Sequence, residues 1–348
     1  QYEVAADEQE SLKIARNTIV GKVYNGRWVI ERTIRDHSLQ TDADKLKIVS
    51  DLKNIKIYDE NRFNKIIKNN IVTELIFNII NPYLLYIRLD YIANELVIEF
   101  SGKILKDDYP KLISTNTINT CFENINEMGF CWIDCEKIRD ADVVKCDVTK
   151  DVICSDIPSM TTYIRNNLSN YQKYVCRLLR NGNFIIEKNV TTRQAKKRLT
   201  IYDKGIEMSR VENLRYMVEC GIPENSFDGV CRFELNLNSI VQIKSSLEVT
   251  DTRLRTVLDA TTNPIQAFWD DVLSNEQSWE ITNAKSYFVG LVLKDCNFDI
   301  VQIESKMRQL YPSKGTNISK VMKPYRTMLS QIQQNYNNRK ADLLHLLA

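Results

Sequence analysis

Alternating apolar and polar positions recur along the first hundred residues and predict β-strands. Residues 22–34 (KVYNGRWVIERTI) alternate, and residues 84–100 (LLYIRLDYIANELVIEF) alternate around a turn at Ala93 and Asn94. Residues 61–80 (NRFNKIIKNNIVTELIFNII) have apolar side chains at helical spacing, which predicts a helix. These segments together predict a sheet with a covering helix.

The remainder of the chain shows the same mixture of periods. Helices are predicted at 115–128, with Gly129 as the stop, and at about 160–179. Strands are predicted at 143–149 (VVKCDVT), in NFIIE and RLTIYDK, and at 231–238 (CRFELNLN). We therefore expect an α+β fold with mixed or antiparallel sheets, helices packed on one face, and two similar halves. The expected parts are an N-terminal arm (1–21), a first α+β half (22–135), a second half with the site (136–300) and a C-terminal helical tail (301–348).

Three of the predicted strands have one apolar and one polar face, because successive side chains of a strand point to opposite sides. If these strands pair, their polar sides gather five residues: Asp147, Tyr202, Lys204, Arg232 and Glu234. Carboxylates from two strands are suitable ligands for a divalent metal, Mg²⁺ or Mn²⁺. A solvated sheet face with cross-strand charge pairs, such as Glu234 with Lys145, explains the same pattern.

Charge is unevenly distributed along the chain. The net charge is only +2, yet residues 171–216 hold eleven Lys and Arg against four Asp and Glu. Part of this excess lies in one loop, which is expected to bind the phosphates of DNA or else to be a solvated basic loop. Its basic residues are Arg193, Lys196, Lys197 and Arg198.

Composition is that of a globular protein, with 43% hydrophobic and 26% charged residues. No run approaches the length of about eighteen apolar residues that a membrane span needs, so no membrane partner is expected. The nine cysteines show no CxxC spacing and no disulfide density, which favours reduced thiols and a cytoplasmic location.

A family resemblance rests on three segments. KRLTIYDKGIEM (197–208), followed by CRFELNLN, resembles the replication proteins of filamentous phages and related plasmids, the gene II/X type of rolling-circle initiator. KCDVTKDV (145–152) is similar to the strand that precedes these motifs in that family, and residues 100–130 are similar to its helix-bearing segment. The resemblance covers about residues 100–300.

The resemblance implies a DNA nicking and joining enzyme that forms a phosphotyrosyl link at a replication origin with metal assistance. It implies that Asp147, Glu234 and Glu207 serve the metal and that Lys204 contacts phosphate. Tyr202 belongs to the YDK signature and is the predicted nucleophile. The expected partner is origin DNA, either single-stranded or cruciform. A homodimer of the protein is compatible with this role.

Two departures from the family pattern stand out. The only histidines, His37 and His345, are far apart, which excludes a metal held by paired histidines. Phe184 and Ile185 stand where related initiators place the tyrosine. The nucleophile is then Tyr202, Tyr171 or Tyr174, or the sequence carries a Tyr-to-Phe change, or the protein is degenerate and only binds DNA.

Two further readings compete with the enzyme. One is a catalytically degenerate DNA-binding or partner-docking relative on the same scaffold. The other is a structural or host-interaction protein of a mobile element, favoured by the low net charge and the helical tail.

Overall fold

A computed structural model describes most of the chain, and all structural statements refer to these parts of it. They are residues 17–24, 27–34, 42–154, 156–158, 160–161, 174–188, 197–274, 283–296, 299–312 and 317–330. The predicted arm lies largely outside them. The described residues form an α+β fold, as the sequence predicts.

Fourteen strands are described, twelve of them in one large sheet. Their bounds are β1 Asn17–Tyr24, β2 Arg27–Ile34, β3 Ala43–Asp51, β4 Ile55–Ile57, β5 Asn64–Lys68, β6 Ile71–Ile79, β7 Leu85–Asp90, β8 Glu95–Ser101, β9 Cys131–Ile133, β10 Asp142–Cys154, β11 Tyr174–Leu178, β12 Phe184–Lys188, β13 Arg198–Asp203 and β14 Val230–Leu237. The two short strands β4 and β9 pair with each other outside the large sheet.

The described helices are short. Their bounds are α1 Ile118–Asn126, α2 Lys204–Met208, α3 Val211–Glu219, α4 Ile240–Leu247, α5 Leu254–Leu258, α6 Pro264–Ser274, α7 Ala284–Asp295, α8 Ile300–Leu310 and α9 at 318–330. Helices α7, α8 and α9 share a separate apolar cluster. In the described part of the chain, no helix combines the length and the apolar character that crossing a membrane requires.

The large sheet repeats one strand order on either side of its centre. Strands β3 and β10 pair at the middle, and the order outward is β8, β7, β6, β5 on one side and β14, β13, β12, β11 on the other. On each side the first strand, β3 or β10, lies at the centre, and the last strand, β8 or β14, pairs with it. A helix follows each set of strands in the sequence, α1 after β8 and α4 after β14. All these neighbours are antiparallel. Two similar halves are thus visible in the topology, while the predicted domain boundaries stay a prediction.

The main core lies on one face of this sheet. Leu46, Cys146, Phe233 and Leu235 point into it and are fully buried. Helices α1, α4, α5 and α6 contribute the opposing apolar side chains, among them the wholly buried Trp269. The other face of the central strands is consequently polar.

The predicted helix at 61–80 is wrong, and the predicted helix at 160–179 is wrong at its C-terminal end, while its middle, 162–173, lies outside the described residues. Residues 61–80 contain the hairpin of β5 and β6, because Asn69 and Asn70 adopt positive φ (51° and 60°) and form a tight turn. Residues 174–178, at the end of the predicted helix 160–179, form strand β11, which pairs with β12. The hairpins at 84–101 and the helix stopped by Gly129 (φ 77°) are confirmed.

Candidate functional site

The polar sides of three neighbouring strands meet, as the alternation predicts. Strands β13, β14 and β10 are adjacent in the sheet. The register places Thr200 and Thr149 on either side of Glu234, and Asp147 opposite Asn236. Cross-strand partners share a face, so Asp147 and Glu234 lie on the same face of the sheet.

The side chain of Asn236 lies between these two carboxylates. Its Nδ2 donates to Glu234 Oε1 (3.2 Å), and the same side chain hydrogen-bonds to Asp147. Its Oδ1 accepts from Arg198 Nε (3.1 Å), which fixes the orientation of the amide. Asp147 is 7% exposed, and its Oδ1 is buried without a hydrogen-bond partner in the described residues. A buried carboxylate oxygen in this state is a candidate ligand atom.

Burial makes both carboxyl groups harder to ionise. Desolvation, reinforced by the nearby charges of Asp44 and Asp147, raises the pKa of Glu234 from 4.5 to about 7. Desolvation also raises the pKa of Asp147 above its usual range. A pair of acids whose ionisation is opposed by burial, and for Glu234 also by the charge of Asp147, is a favoured site for a cation.

Lysines surround the carboxylate pair on the central strands. Lys45 (2.7 Å), Lys47 (3.6 Å) and Lys145 (3.7 Å) all lie within ion-pair distance of Glu99. Lys145 thus pairs with Glu99, whereas the solvated-face alternative placed it with Glu234. Together with Asp147 and Glu234, Glu99 sets three carboxyl groups against these three ammonium groups, so the middle of this face carries charges of both signs.

A buried arginine cluster lies at one end of the polar face. Arg232 is wholly buried and donates two hydrogen bonds to Asp151 (2.7 and 2.8 Å) and one to Asp44 (2.7 Å). Asp44 is the extra residue of a β-bulge, because Lys45 pairs with Asp147 while Ala43 pairs with Val148. Asp44 and the strand β3 that carries it were not predicted from the sequence, because a bulge breaks the alternation of apolar and polar positions.

Lys204 and Glu207 differ from their predicted positions. Lys204 does not continue the strand: Asp203 caps the next turn by accepting from the Ile206 N–H (2.9 Å), and Lys204 begins α2. The Lys204 ammonium is buried, pairs with the Glu207 carboxylate, and lies 5.2 Å from the centre of the Tyr109 ring. The predicted roles of Lys204 at phosphate and of Glu207 at a metal stay predictions.

Tyr202 is placed beside the carboxylate pair but is poorly suited to attack. Its hydroxyl donates to Glu234 Oε2 (3.3 Å), and its side chain is 9% exposed. Burial raises the pKa of Tyr202 well above its usual range, so the phenol stays protonated and is a weak nucleophile. The role of Tyr202 in the structure is therefore its hydrogen bond to Glu234.

The other predicted residues lie in different surroundings. Tyr174 is buried on strand β11 and donates to Asp271. Phe184 and Ile185 are buried. Arg198 begins β13, and Lys197 precedes it, partly buried. Tyr171, Arg193 and Lys196 lie outside the described residues.

Metal ligands are few in this site. Among the described residues, no group of three or more His, Cys, Asp and Glu side chains could hold a metal ion. Asp147, Glu234 and Glu207 therefore do not form a three-carboxylate site. Mg²⁺ is commonly bound through one or two carboxylates together with substrate phosphates, and the Asp147–Glu234 pair fits that pattern.

Comparison with known proteins gives one family match. The family of CRISPR associated protein Cas1 matches residues 1–65, a range that contains β1 to β4. No curated protein matches the chain.

The match contradicts the resemblance to gene II/X rolling-circle initiators, and that prediction was wrong. The predicted associations with phages, plasmids and replication origins are therefore also wrong. The alternative of a catalytically degenerate relative on the same scaffold is not supported either. The physical reason lies in the YDKGIE signature itself. Asp203 is a helix cap and Lys204 is an internal ion-pair partner, so the motif records a strand-to-helix junction and does not identify a reaction.

Proposed function

We propose that this protein cleaves or transfers phosphodiester bonds of DNA with a divalent cation held by Asp147 and Glu234. The observation that carries the proposal is the pair itself: the buried Asp147 carboxyl, with an oxygen that has no partner among the described residues, and the partly exposed Glu234 carboxyl, beside three lysines. Buried carboxylates of this kind are stabilised as anions by a cation.

The family match supports the substrate and the metal. The matched family is one of metal-dependent nucleases that act on DNA. The matched range includes β3, which brings Asp44, Lys45 and Lys47 to the same face as Asp147. A divalent cation and a DNA partner are therefore the expected chemistry, and the form of the DNA is left to experiment.

The surrounding residues have separable roles in this proposal. Asp147 and Glu234 would hold the cation, which would polarise the phosphate and ease ionisation of the attacking water. Lys45, Lys145 and Arg198 would bind neighbouring phosphates. The Tyr202 hydroxyl and the Asn236 amide each hold one oxygen of Glu234 in place.

Hydrolysis at this site is a balanced displacement. The water oxygen forms a bond to phosphorus, the bond from phosphorus to one ester oxygen breaks, and the proton from water ends on the departing oxygen. In strand transfer a DNA hydroxyl replaces the water. Neither route requires Tyr202 to be the nucleophile.

The test compares Asp147→Asn and Glu234→Gln with the wild-type protein. Mn²⁺ binding measured by calorimetry, together with cleavage of single-stranded and duplex DNA, should be lost or strongly weakened in both variants. The control is Asp51→Asn, an exposed carboxylate at the far end of β3, which should behave as wild type. Unchanged Mn²⁺ affinity in both site variants would refute the proposed cation site.

A cytoplasmic location is part of the same proposal. Cys121, Cys131 and Cys146 are buried, and burial raises the pKa of each thiol, which keeps them protonated and unreactive. Such thiols require no oxidising compartment. Fractionation of the native cells would test the location.

A further inference from the structure

A cavity opens beside the carboxylate pair, at the end of the polar face. Its volume is about 240 Å³. The connection between β6 and β7 forms one wall, and α2 and α3 form the opposite wall. Three tyrosines line it, Tyr83, Tyr109 and Tyr202, and we call it the tyrosine pocket.

The tyrosine pocket has more carboxylates than ammonium groups in its lining, so it does not fit a bare anion. The ammonium groups of Lys103 and Lys204 face three carboxylates in the lining. Lys204 pairs with Glu207, and Lys103 donates to Asn213 Oδ1 (2.6 Å). A free phosphate would therefore find no net positive charge, whereas a neutral ligand with a polar edge would find both donors and acceptors.

The walls suit a flat ring of moderate size. Tyr109 is 1% exposed and is held by Asp44 (3.3 Å), while Tyr83 is only half-buried and also lines the cavity. The cavity is smaller than the roughly 300–1,000 Å³ of sites for drug-sized ligands, so it accommodates one ring system and part of a sugar. Aromatic side chains bind nucleobases by stacking irrespective of sequence.

Tyr202 connects the pocket with the carboxylate pair. It lines the pocket, and its hydroxyl contacts Glu234. A nucleotide seated in the pocket would thus place an adjoining phosphate next to Glu234. We propose that the tyrosine pocket binds one unpaired base of a single DNA strand. The link to the carboxylate pair rests on the proposed function, whereas base binding does not.

The experiment uses a single-stranded oligonucleotide that carries one 2-aminopurine, titrated with the full-length protein in EDTA. The probe emission should change on binding to the single strand and remain unchanged when the probe base is paired in a duplex. Tyr83→Leu should weaken binding about 5- to 150-fold, the loss typical of removing one stacking aromatic. Tyr83→Phe should bind as wild type because it retains the ring.

The matched control is Tyr91→Leu, since Tyr91 is an exposed tyrosine beyond the opposite end of β7. Equal binding by Tyr83→Leu and the wild type would overturn the proposal. Equally tight binding of free 2-aminopurine nucleoside monophosphate would overturn it in favour of a free nucleotide ligand.

A second measurement does not depend on the folding of any variant. An oligonucleotide with one 4-thiothymidine, irradiated with the wild-type protein, should crosslink to peptides that contain Tyr83 or Tyr202. Crosslinks confined to other peptides would overturn the proposal. The two proposals can fail separately, because base binding is measured in EDTA, without the cation. Absence of base binding together with Mn²⁺-dependent cleavage would refute the tyrosine pocket alone. Base binding without Mn²⁺-dependent cleavage would refute only the proposed function.

Discussion

Replacing Glu234 with Gln should remove a loss of stability that the wild type undergoes between pH 5 and pH 8, so that above pH 7 the variant gains stability relative to the wild type. Burial and two neighbouring acids raise the pKa of Glu234 from 4.5 to about 7 in the folded chain. Between these values the folded protein holds a proton that the unfolded chain has lost. The free energy of unfolding of the wild type therefore falls as pH rises from about 4.5 to about 7, and the penalty is fully present above pH 7.

The size of the effect follows from the shift. The rise in the pKa of Glu234 from 4.5 to about 7 corresponds to about 3 kcal/mol. Glu234 is partly exposed, so solvent screening reduces the expected loss to roughly 1–3 kcal/mol. Gln cannot ionise, and the variant should lack this part of the pH dependence.

The assay is urea unfolding at pH 5 and pH 8, in EDTA, followed by tryptophan fluorescence. Trp269 is a suitable reporter because it is buried and packs against Phe233, the neighbour of Glu234 on β14 (ring centres 6.3 Å apart). Asp51→Asn controls for the removal of a surface charge. An identical pH dependence in wild type and Glu234→Gln would show that Glu234 ionises normally and would remove the electrostatic basis of the proposed cation site.

Two further changes test the remaining parts of the structure. Arg232→Met should cost about 3–5 kcal/mol in urea unfolding, because it leaves Asp151 and Asp44 without their cation. The exposed control Arg308→Met should change stability by less than about 1 kcal/mol, and similar losses in both would contradict a structural role for the buried arginine. Removing the four basic residues of the predicted loop should make the dependence of log K on log salt shallower by about 3 for DNA binding, while an unchanged slope would place the DNA elsewhere. Those residues are Arg193, Lys196, Lys197 and Arg198, and the matched control changes Lys285, Lys294, Lys320 and Lys323 to Ala.

Local periodicity alone determined the strands that carry the carboxylate pair. Alternation separated Asp147 and Glu234 from the apolar sides of β10 and β14, because a paired strand with one buried face must alternate. The same reasoning failed at 61–80, where Asn69 and Asn70 turn the chain between two strands whose apolar residues also fit a helical period. A short apolar run satisfies both periods, and only pairing with a neighbouring strand decides between them.

Tertiary structure decided which polar residues meet and what their charges do. The pairing of β3 with β10 brings Asp44 to Arg232, 188 residues away in the chain, through a bulge that no alternation pattern displays. Burial in the assembled sheet also raises the pKa of Tyr202 and of Glu234, which is an effect of desolvation and not of residue type. The sequence therefore determined the polar face of the sheet, whereas the carboxylate pair and the tyrosine pocket follow from contacts between distant strands. Burial is a property of the assembled sheet, and it gives these ordinary side chains their unusual chemistry.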